Sequence, residues 1–233
     1  MNMKKNPKVS LQESEWAENS GSGNLKPIKL LKPQTGKGKS VLYALKQRKT
    51  IREISDRELP LQVLSNLLWA ACGVNRNIGP FGIAGRTAAT ASNSQEIDLY
   101  VSFEEGIYLY DAVKHRLLPV IAGDHRKLAI GQGQASFGDR APVRFIYVAD
   151  INKLANTSGY QEPGLQNTEV QKSYYFVDTG IIAANVYLFT ASRGLAAWFH
   201  NCNKPGLAAI LNLRSDQRVL FGQTIGYPIK KKS

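Results

Sequence analysis

Residues 97–121, IDLYVSFEEGIYLYDAVKHRLLPVI, decide the fold class of this chain. Three apolar runs, IDLYVSF, IYLYD and RLLPVI, are rich in β-branched and aromatic residues and are separated by the turn-forming stretches EEG and AVKH. Such residues pack well on a pleated sheet, and short connections allow consecutive strands to pair side by side. The stretch therefore predicts a meander of antiparallel strands.

Helical and strand patterns continue on both sides of this meander. SVLYALKQR predicts a short helix with Ser40 as its N-cap, and PLQVLSNLLWAACG predicts a helix with one apolar face, Pro60 near its first turn and Gly73 after its last. Further strands are predicted in PVRFIYVAD, LAAWFHNCN and RVLFGQTIGYP, and a short helix in KPGLAAILNL. Residues 123–141 are predicted to form a short helix and loops. This order of elements predicts an α+β fold with a mostly antiparallel central sheet flanked by helices.

The longest predicted helix runs from about Gln171 to Arg193. It is apolar nearly all round, which is typical of a buried helix, and Gly194 can end it in the left-handed conformation. Its small residues allow close approach of a neighbouring backbone. Two interpretations remain open at this point, a central helix of the domain and a contact between two copies of the chain.

The positive charge is concentrated at the two ends of the chain. The formal charge is +12, of which +8 lies in residues 1–49 and +3 in the tail at residues 230–232. Nucleic-acid binding by the folded body is therefore disfavoured, because a basic groove needs cations spread through the fold. Residues 1–37 are interpreted as a basic, flexible arm and residues 38–233 as a single domain of ordinary globular composition.

Other functional classes are excluded by what the sequence lacks. Cys72 and Cys202 have no metal-ligand spacing and are interpreted as buried core residues, and the histidines have no such spacing either, so no metal site is predicted. No apolar run is long enough to span a membrane, and no apolar segment follows the N-terminal charges, so we expect a cytoplasmic protein. TGKGKS and GQGQAS lack residues that a Walker loop and a dinucleotide fingerprint require.

The stretch RKTIR at residues 48–52 places three cations around one hydroxyl directly after a predicted helix. Arginine offers a planar fork of donors, lysine a point charge and threonine a hydroxyl, and together they suit a phosphate group. The alternative is a solvated basic turn. A second unusual stretch, VNRNIGPFGIAGRTAATASNSQE at residues 74–96, is longer than a connecting loop normally is, and we interpret it as a functional loop.

Five motifs in order resemble the nitroreductase family of FMN-dependent oxidoreductases. They are RKTIRE, LLWAACGVNR, GRTAATASNSQE, SRGLAAWF and QTIGYP, and the resemblance covers roughly residues 38–230. The hairpin EEGIYLYDAVKHRLLPV is similar to one in the branch that includes the SagB-type peptide dehydrogenases. The resemblance implies an intertwined α+β homodimer with two FMN sites, each built from both chains.

The resemblance also implies which residues contact the flavin. The phosphate, the ribityl chain and the pyrimidine edge are expected to be held by Arg48, Lys49, Thr50 and Arg52. The loop of the second subunit is expected to contribute Ala89, Thr90, Ala91 and Asn93. The segment passing the isoalloxazine is expected to be Trp198, Phe199, His200 and Asn201, and Lys230 or Lys231 is expected to close on the phosphate.

This sequence departs from the common family pattern at several of these positions. Ala89 and Thr90 stand where proline and serine are frequent, Thr50 replaces serine, and Asn201 stands where many relatives have glycine. His200 is also unusual, and two interpretations stay open for it, a contact with substrate and a solvent-exposed or hydrogen-bonded bystander.

The function implied is hydride transfer between NADH or NADPH and a small organic acceptor, such as a nitroaromatic or a quinone. FMN is expected rather than FAD, because the clustered cations suit a terminal phosphate and no dinucleotide fingerprint is present. The flavin performs the chemistry, so the absence of an acid–base constellation is consistent with this function. The alternatives are a flavin-dependent dehydrogenase or oxidase acting on a peptide or amine, a flavin-binding protein without turnover, and a basic adaptor.

Overall fold

The computed structural model describes residues 21–36, 38–134, 140–158 and 166–229 of the chain. Its strands are β1 Ile28–Lys29, β2 Val74–Arg76, β3 Gly85–Arg86, β4 Ile97–Ser102, β5 Gly106–Asp111, β6 Arg116–Ala122, β7 Val143–Asp150, β8 Ala196–His200 and β9 Gln217–Gly226. Its helices are α1 Val41–Gln47, α2 Leu61–Cys72, α3 Ile151–Ala155, α4 Thr168–Arg193 and α5 Lys204–Ile210. Short 3-10 turns occur at Pro80–Gly82, Ala91–Asn93 and Gln132–Gln134.

Seven of these strands form one sheet in the order β1-β6-β5-β4-β7-β9-β8, while β2 and β3 form a separate ribbon. Every pair of neighbours in the large sheet is antiparallel, which confirms the α+β prediction. The predicted meander is β4 to β6, in which Tyr100 pairs with Leu109 and Tyr110 pairs with Leu117. The strands predicted near the C-terminal end are also confirmed.

The central strand β7 is buried along its whole length, because both faces of the sheet are covered. Phe145 and Tyr147 pack on one face in the cluster that includes residues of α2 and α4. Ile146 and Val148 point to the opposite face and pack with residues around α5. The strict alternation of a strand thus divides the interior into two apolar layers.

The helix boundaries agree closely with the sequence pattern. Ser40 caps α1 by accepting a hydrogen bond from the Tyr43 N–H at 3.2 Å. Helix α2 lies between Pro60 and Gly73, as predicted. The short helix α3 was not predicted, because its five residues are too few to show a helical period.

The long helix α4 begins at Thr168, three residues before the predicted start, and ends at Gly194, whose φ of 67° is left-handed as predicted. It is not buried all round within one chain. Phe176 and Val177 are 43% and 59% exposed, whereas Ile182 and Val186 on the same helix are buried. Apolar composition alone did not distinguish the face packed on the sheet from the face left open.

Part of the predicted flexible arm is packed on the domain. Residues Ile28 and Lys29 pair with β6, and the Leu31 N–H donates to Ser65 Oγ at 2.9 Å. The Gln34 N–H donates to Asn66 Oδ1 at 2.9 Å. A two-residue strand carries no periodic signal, which is why sequence patterns did not indicate it. Residues 1–20 and Lys37 lie outside the described residues.

Among the described residues, no helix is long and apolar enough to cross a membrane, and no group of histidine, cysteine and acidic residues could hold a metal ion. Cys72 and Cys202 are free and buried, as predicted. Within residues 123–141, where a short helix and loops were predicted, the structure places the 3-10 turn at Gln132–Gln134, and residues 135–139 lie outside the described part.

Candidate functional site

The basic turn at residues 48–52 is held between α1 and the edge strand β8. The Arg48 N–H donates to Ala44 O at 2.8 Å and ends α1. The Ile51 N–H then donates to Ala197 O on β8 at 3.1 Å, and Ile54 is buried beside Gly226. The backbone of the turn is therefore fixed at both ends, while the side chains of Arg48 and its neighbours remain exposed.

The three cations of this turn have no acidic partners. Among the described residues, no carboxylate lies within 4.0 Å of the cationic nitrogens of Arg48, Lys49 or Arg52. Arg48 Cζ instead lies 5.8 Å from the ring centre of Tyr187, and Arg52 Cζ lies 5.6 Å from the ring centre of Trp198. Uncompensated cations held close together create a positive potential that favours an anion.

The hydroxyl of Tyr187 connects the turn to β8. The Phe199 N–H donates to Tyr187 Oη at 2.9 Å, and the same oxygen lies 3.2 Å from Thr50 Oγ1. Sequence reasoning treated Tyr187 only as an apolar residue of the long helix. Its role depends on a contact across 137 positions, which no local pattern could indicate.

The segment Trp198–Asn201 has mixed exposure. Trp198 and His200 are buried, Phe199 is half-buried and Asn201 is exposed. Since β8 is the last strand of the sheet, its outer edge is open to other partners, and the turn and Tyr187 occupy part of that edge. The residues expected near the isoalloxazine thus lie directly beside those expected near the phosphate.

His200 is held by hydrogen bonds at both ring nitrogens. Nδ1 lies 2.8 Å from Asn201 O, which can only accept, so Nδ1 carries the proton, and Nε2 accepts from Thr224 Oγ1 at 2.8 Å. Burial lowers the pKa of His200 to about 4, so the ring is neutral at pH 7. Gly222 makes room for the ring, because a Cβ there would lie 2.8 Å from His200 Cε1. This geometry favours the hydrogen-bonded bystander over the contact with substrate.

The loop that contains Ala89, Thr90, Ala91 and Asn93 has an unusual backbone. Ser92, Asn93 and Gln95 have φ values of 48°, 56° and 52°, in the left-handed region that residues other than glycine seldom adopt. The Gln95 N–H donates to Thr90 Oγ1 at 3.1 Å, and Asn93 Nδ2 donates to Pro80 O and Ile83 O. Strained backbone that is fixed by several hydrogen bonds is typical of functional loops.

Two buried carboxyl groups hold this loop, Asp178 from α4 and Glu96 from the loop itself. The Ala91 N–H donates to Asp178 Oδ2 at 2.9 Å, and Ser94 Oγ donates to Glu96 Oε2 at 2.6 Å. Burial, together with the charge of Asp178, raises the pKa of Glu96 to about 7, although the bond from Ser94 opposes the shift. The pKa of Asp178 is also raised, chiefly by burial. Sequence reasoning missed both carboxyl groups as parts of the site.

The predicted site residues form two separate groups in one chain. The basic turn contacts α4 at Tyr187, whereas Ala91 contacts the same helix at Asp178. These positions are nine residues apart, which corresponds to about 13 Å along the helix axis. Lys230 and Lys231 lie outside the described residues, but the chain leads toward them beside the turn, since the Ile229 N–H donates to Glu53 O at 3.0 Å.

Comparison with known proteins identifies the family to which this chain belongs. The model of the Nitroreductase family matches residues 45–227, which include the basic turn, the strained loop and β8. The chain belongs to the nitroreductase family. This membership makes it an oxidoreductase and confirms the resemblance found in the sequence.

Individual relatives agree with this assignment. The crystal structure of a candidate nitroreductase from Ralstonia eutropha JMP134 is 33% identical, with a TM-score of 0.75, and the match covers 89% of this chain and 91% of that one. A candidate nitroreductase from Methanocaldococcus jannaschii is 28% identical over 156 residues, which are 64% of this chain and 72% of the relative. The NADPH:FMN oxidoreductase from Vibrio harveyi, complexed with NAD⁺, shares the fold at 18% identity and a TM-score of 0.53, and the match covers 82% of this chain and 69% of that one.

Proposed function

We propose that this nitroreductase-family protein binds FMN and transfers hydride from NADH or NADPH to a small organic acceptor, such as a nitroaromatic or a quinone. The observation that carries the proposal is the basic turn, where three exposed cations, which have no acidic partner in the described part of the chain, are fixed next to β8. A solvated turn would need no such fixation. A terminal phosphate beside β8 would require both the charge and the rigidity.

The residues present fit FMN by their chemistry. Arg48 and Arg52 would bind the phosphate through paired donors, Lys49 would supply a further charge, and Thr50 would donate a hydroxyl. The strand segment Trp198–Asn201 would run along the ring system, with the strained loop of a second chain contributing Ala89, Thr90, Ala91 and Asn93. Lys230 or Lys231 would add charge at the phosphate.

The protein's part in the reaction is binding and orientation. When bound, FMN supplies a ring that accepts hydride from a nicotinamide and passes electrons to a second substrate. Tyr187 holds the Phe199 N–H and therefore fixes β8 relative to the basic turn, which positions both ends of the site together. A fixed slot along β8 would align the reactants, and the cations of the basic turn would favour the development of negative charge.

We further propose that the active form is a homodimer. Helix α1 exposes Val41, Leu42 and Leu45, which are 67%, 79% and 54% exposed, and α4 exposes Val177. Exposed apolar side chains grouped on one helix, as on α1, indicate an interaction surface, and Val177 adds a separate exposed apolar group on α4. A second chain that covers them would also allow the strained loop of one chain to approach the basic turn of the other, although the two groups lie apart within one chain.

The proposal is tested by titrating the purified apoprotein with FMN, riboflavin and FAD at fixed salt, followed by anaerobic addition of NADH or NADPH. We expect FMN to bind most tightly, riboflavin to bind weakly for lack of the phosphate, and the flavin absorbance to bleach with a reduced nicotinamide. Equal affinity for FMN and riboflavin would show that the basic turn does not bind the phosphate. Bound flavin that no nicotinamide bleaches would contradict the proposed electron donor.

A further inference from the structure

Three aromatic rings next to β8 form a surface that we call the Phe221 patch, consisting of Phe176, Phe199 and Phe221. The ring centres of Phe199 and Phe221 are 4.8 Å apart, and those of Phe176 and Phe221 are 5.9 Å apart. Phe176 is 43% exposed, and the other two are half-buried. Exposed aromatic rings at these separations offer faces and edges on which another ring can pack.

A lysine lies over this patch. Lys204 Nζ is 5.2 Å from the ring centre of Phe221, in a cation–π arrangement. In the ranges that the structure describes, no carboxylate pairs with Lys204. Several cations near the sheet do have acidic partners, for example Arg214 with Asp150 at 3.0 Å and Lys153 with Asp98 at 2.5 Å. A half-buried ammonium group without a counter-ion next to aromatic rings is complementary to an aromatic anion.

The patch begins at the strand that the proposed function places along the flavin. Phe199 belongs to both the Phe221 patch and strand β8, and its backbone N–H donates to Tyr187 Oη at 2.9 Å. From Phe199 the rings lead through Phe221 to Phe176, next to the exposed Val177 on α4. A molecule packed on the patch would therefore lie beside the proposed reaction site, at the border of the surface that a second chain would cover.

We propose that the Phe221 patch binds the ring of a one-ring aromatic carboxylate and that Lys204 pairs with its carboxylate group. This inference rests on the proposed function, because it names the class of acceptor that the enzyme prefers. The rings provide dispersion and edge-to-face contacts, which are insensitive to charge. Lys204 provides a charge-assisted hydrogen bond, which a neutral analogue of the same shape cannot make.

The first experiment compares 4-nitrobenzoate with 4-nitrobenzyl alcohol as acceptors of the holoenzyme, since they share the ring and the nitro group and differ in charge. We expect Lys204→Gln to raise the KM for 4-nitrobenzoate about tenfold and to leave the alcohol nearly unchanged, because only the anion loses a charge-assisted bond. Lys204→Arg should restore part of the difference. Lys29→Gln, which removes an exposed lysine at the opposite edge of the sheet, should have no effect on either acceptor.

The second experiment does not depend on turnover. Binding of 4-fluorobenzoate and 4-fluorobenzyl alcohol to the holoprotein is followed by fluorine NMR at fixed salt, so the site is tested even if neither nitro compound is reduced. We expect the acid to bind more tightly than the alcohol in the wild type and to lose this advantage in Lys204→Gln. Phe221→Leu should weaken both ligands.

Three results would overturn the proposal. One is equal binding of the acid and the alcohol to the wild type. Another is equal loss for both ligands in Lys204→Gln. The third is that Lys204→Gln becomes more monomeric in sedimentation but still binds the acid more tightly than the alcohol. That result would assign Lys204 to the contact between subunits.

Discussion

Glu96→Gln should stabilise the protein at alkaline pH and change its stability at pH 5 much less. Glu96 is fully buried, and its pKa is raised from 4.5 to about 7 by burial and by the charge of Asp178. The folded protein therefore holds a proton on Glu96 that the unfolded chain releases between these two pH values. By linkage, the free energy of unfolding falls as pH rises through this window and then levels off.

The expected gain in stability follows from the shift in the pKa of Glu96. A rise from 4.5 to about 7 corresponds to about 3 kcal/mol at pH 8.5, since one pKa unit is about 1.4 kcal/mol. Glutamine is neutral at every pH and has nearly the same shape, so it removes this penalty. At pH 5 the folded wild type is still protonated at this position while the unfolded chain is partly ionised, so the two proteins should differ by no more than about 1 kcal/mol.

Equilibrium urea unfolding of both proteins, followed by tryptophan fluorescence at pH 5 and pH 8.5, measures the difference directly. Glu104→Gln is the matched control, because Glu104 is exposed in the meander turn and its pairing with Arg126 is worth little. Equal stability of wild type and Glu96→Gln at pH 8.5, or a gain of the same size at pH 5, would refute the reasoning. In either case the buried carboxyl would not be the source of the pH dependence.

Three further substitutions test the site and its supports. Arg48→Ala should weaken FMN binding by about 2 kcal/mol, roughly thirtyfold. Arg48→Lys should weaken it less, because lysine keeps the charge although it lacks the planar fork. If Lys29→Gln weakened binding as much in a calorimetric titration, general basicity and not a placed cation would explain the affinity. Tyr187→Phe leaves the Phe199 N–H without its partner and should lower the free energy of unfolding in urea by about 1–2 kcal/mol. The same substitution should also weaken FMN binding. Tyr43→Phe, on the exposed helix α1, should change neither property. Ser65→Ala removes the acceptor of the Leu31 N–H and should cost about 1 kcal/mol in urea unfolding. Ser173→Ala, at an exposed helix serine whose hydroxyl donates to Val170 O, should cost less. Equal losses would show that the bond between Leu31 and Ser65 contributes no measurable stability.

Elements with a repeating pattern were predictable from the sequence. The meander consists of apolar runs rich in β-branched and aromatic residues between recognisable turns, so its strands and their order were found. Ser40 and Gly194 marked helix ends through their local chemistry. The two-residue strand β1 had no such pattern. It exists because Ser65 and Asn66 on α2 accept its neighbours' backbone N–H groups, and these partners are more than thirty positions away.

The candidate site likewise combines residues that are recognisable in the local sequence with contacts between residues far apart in the chain. Arg48, Lys49 and Arg52 stand together in the sequence, so their charge was visible at once, and motif order connected them with a family. Their position also depends on long-range bonds, from the Ile51 N–H to Ala197 O and from the Tyr187 hydroxyl to Thr50 and Phe199. A tyrosine within an apolar run resembles a core residue until the fold shows where its oxygen lies.

Glu96 and Asp178 show why a polar residue in a functional loop is difficult to interpret from sequence. Glu96 follows a run of small polar residues, where a solvated charge is the ordinary expectation, and Asp178 lies within a nearly apolar helix. The fold buries both beside the same loop, and Asp178 accepts the Ala91 N–H at 2.9 Å. Burial raises the pKa of both carboxyl groups, so ionisation of either one costs stability, and this cost falls beside the strained backbone of residues 90–96. A neutral side chain at position 96 would avoid this cost, so stability alone does not explain the carboxyl group of Glu96 beside this loop.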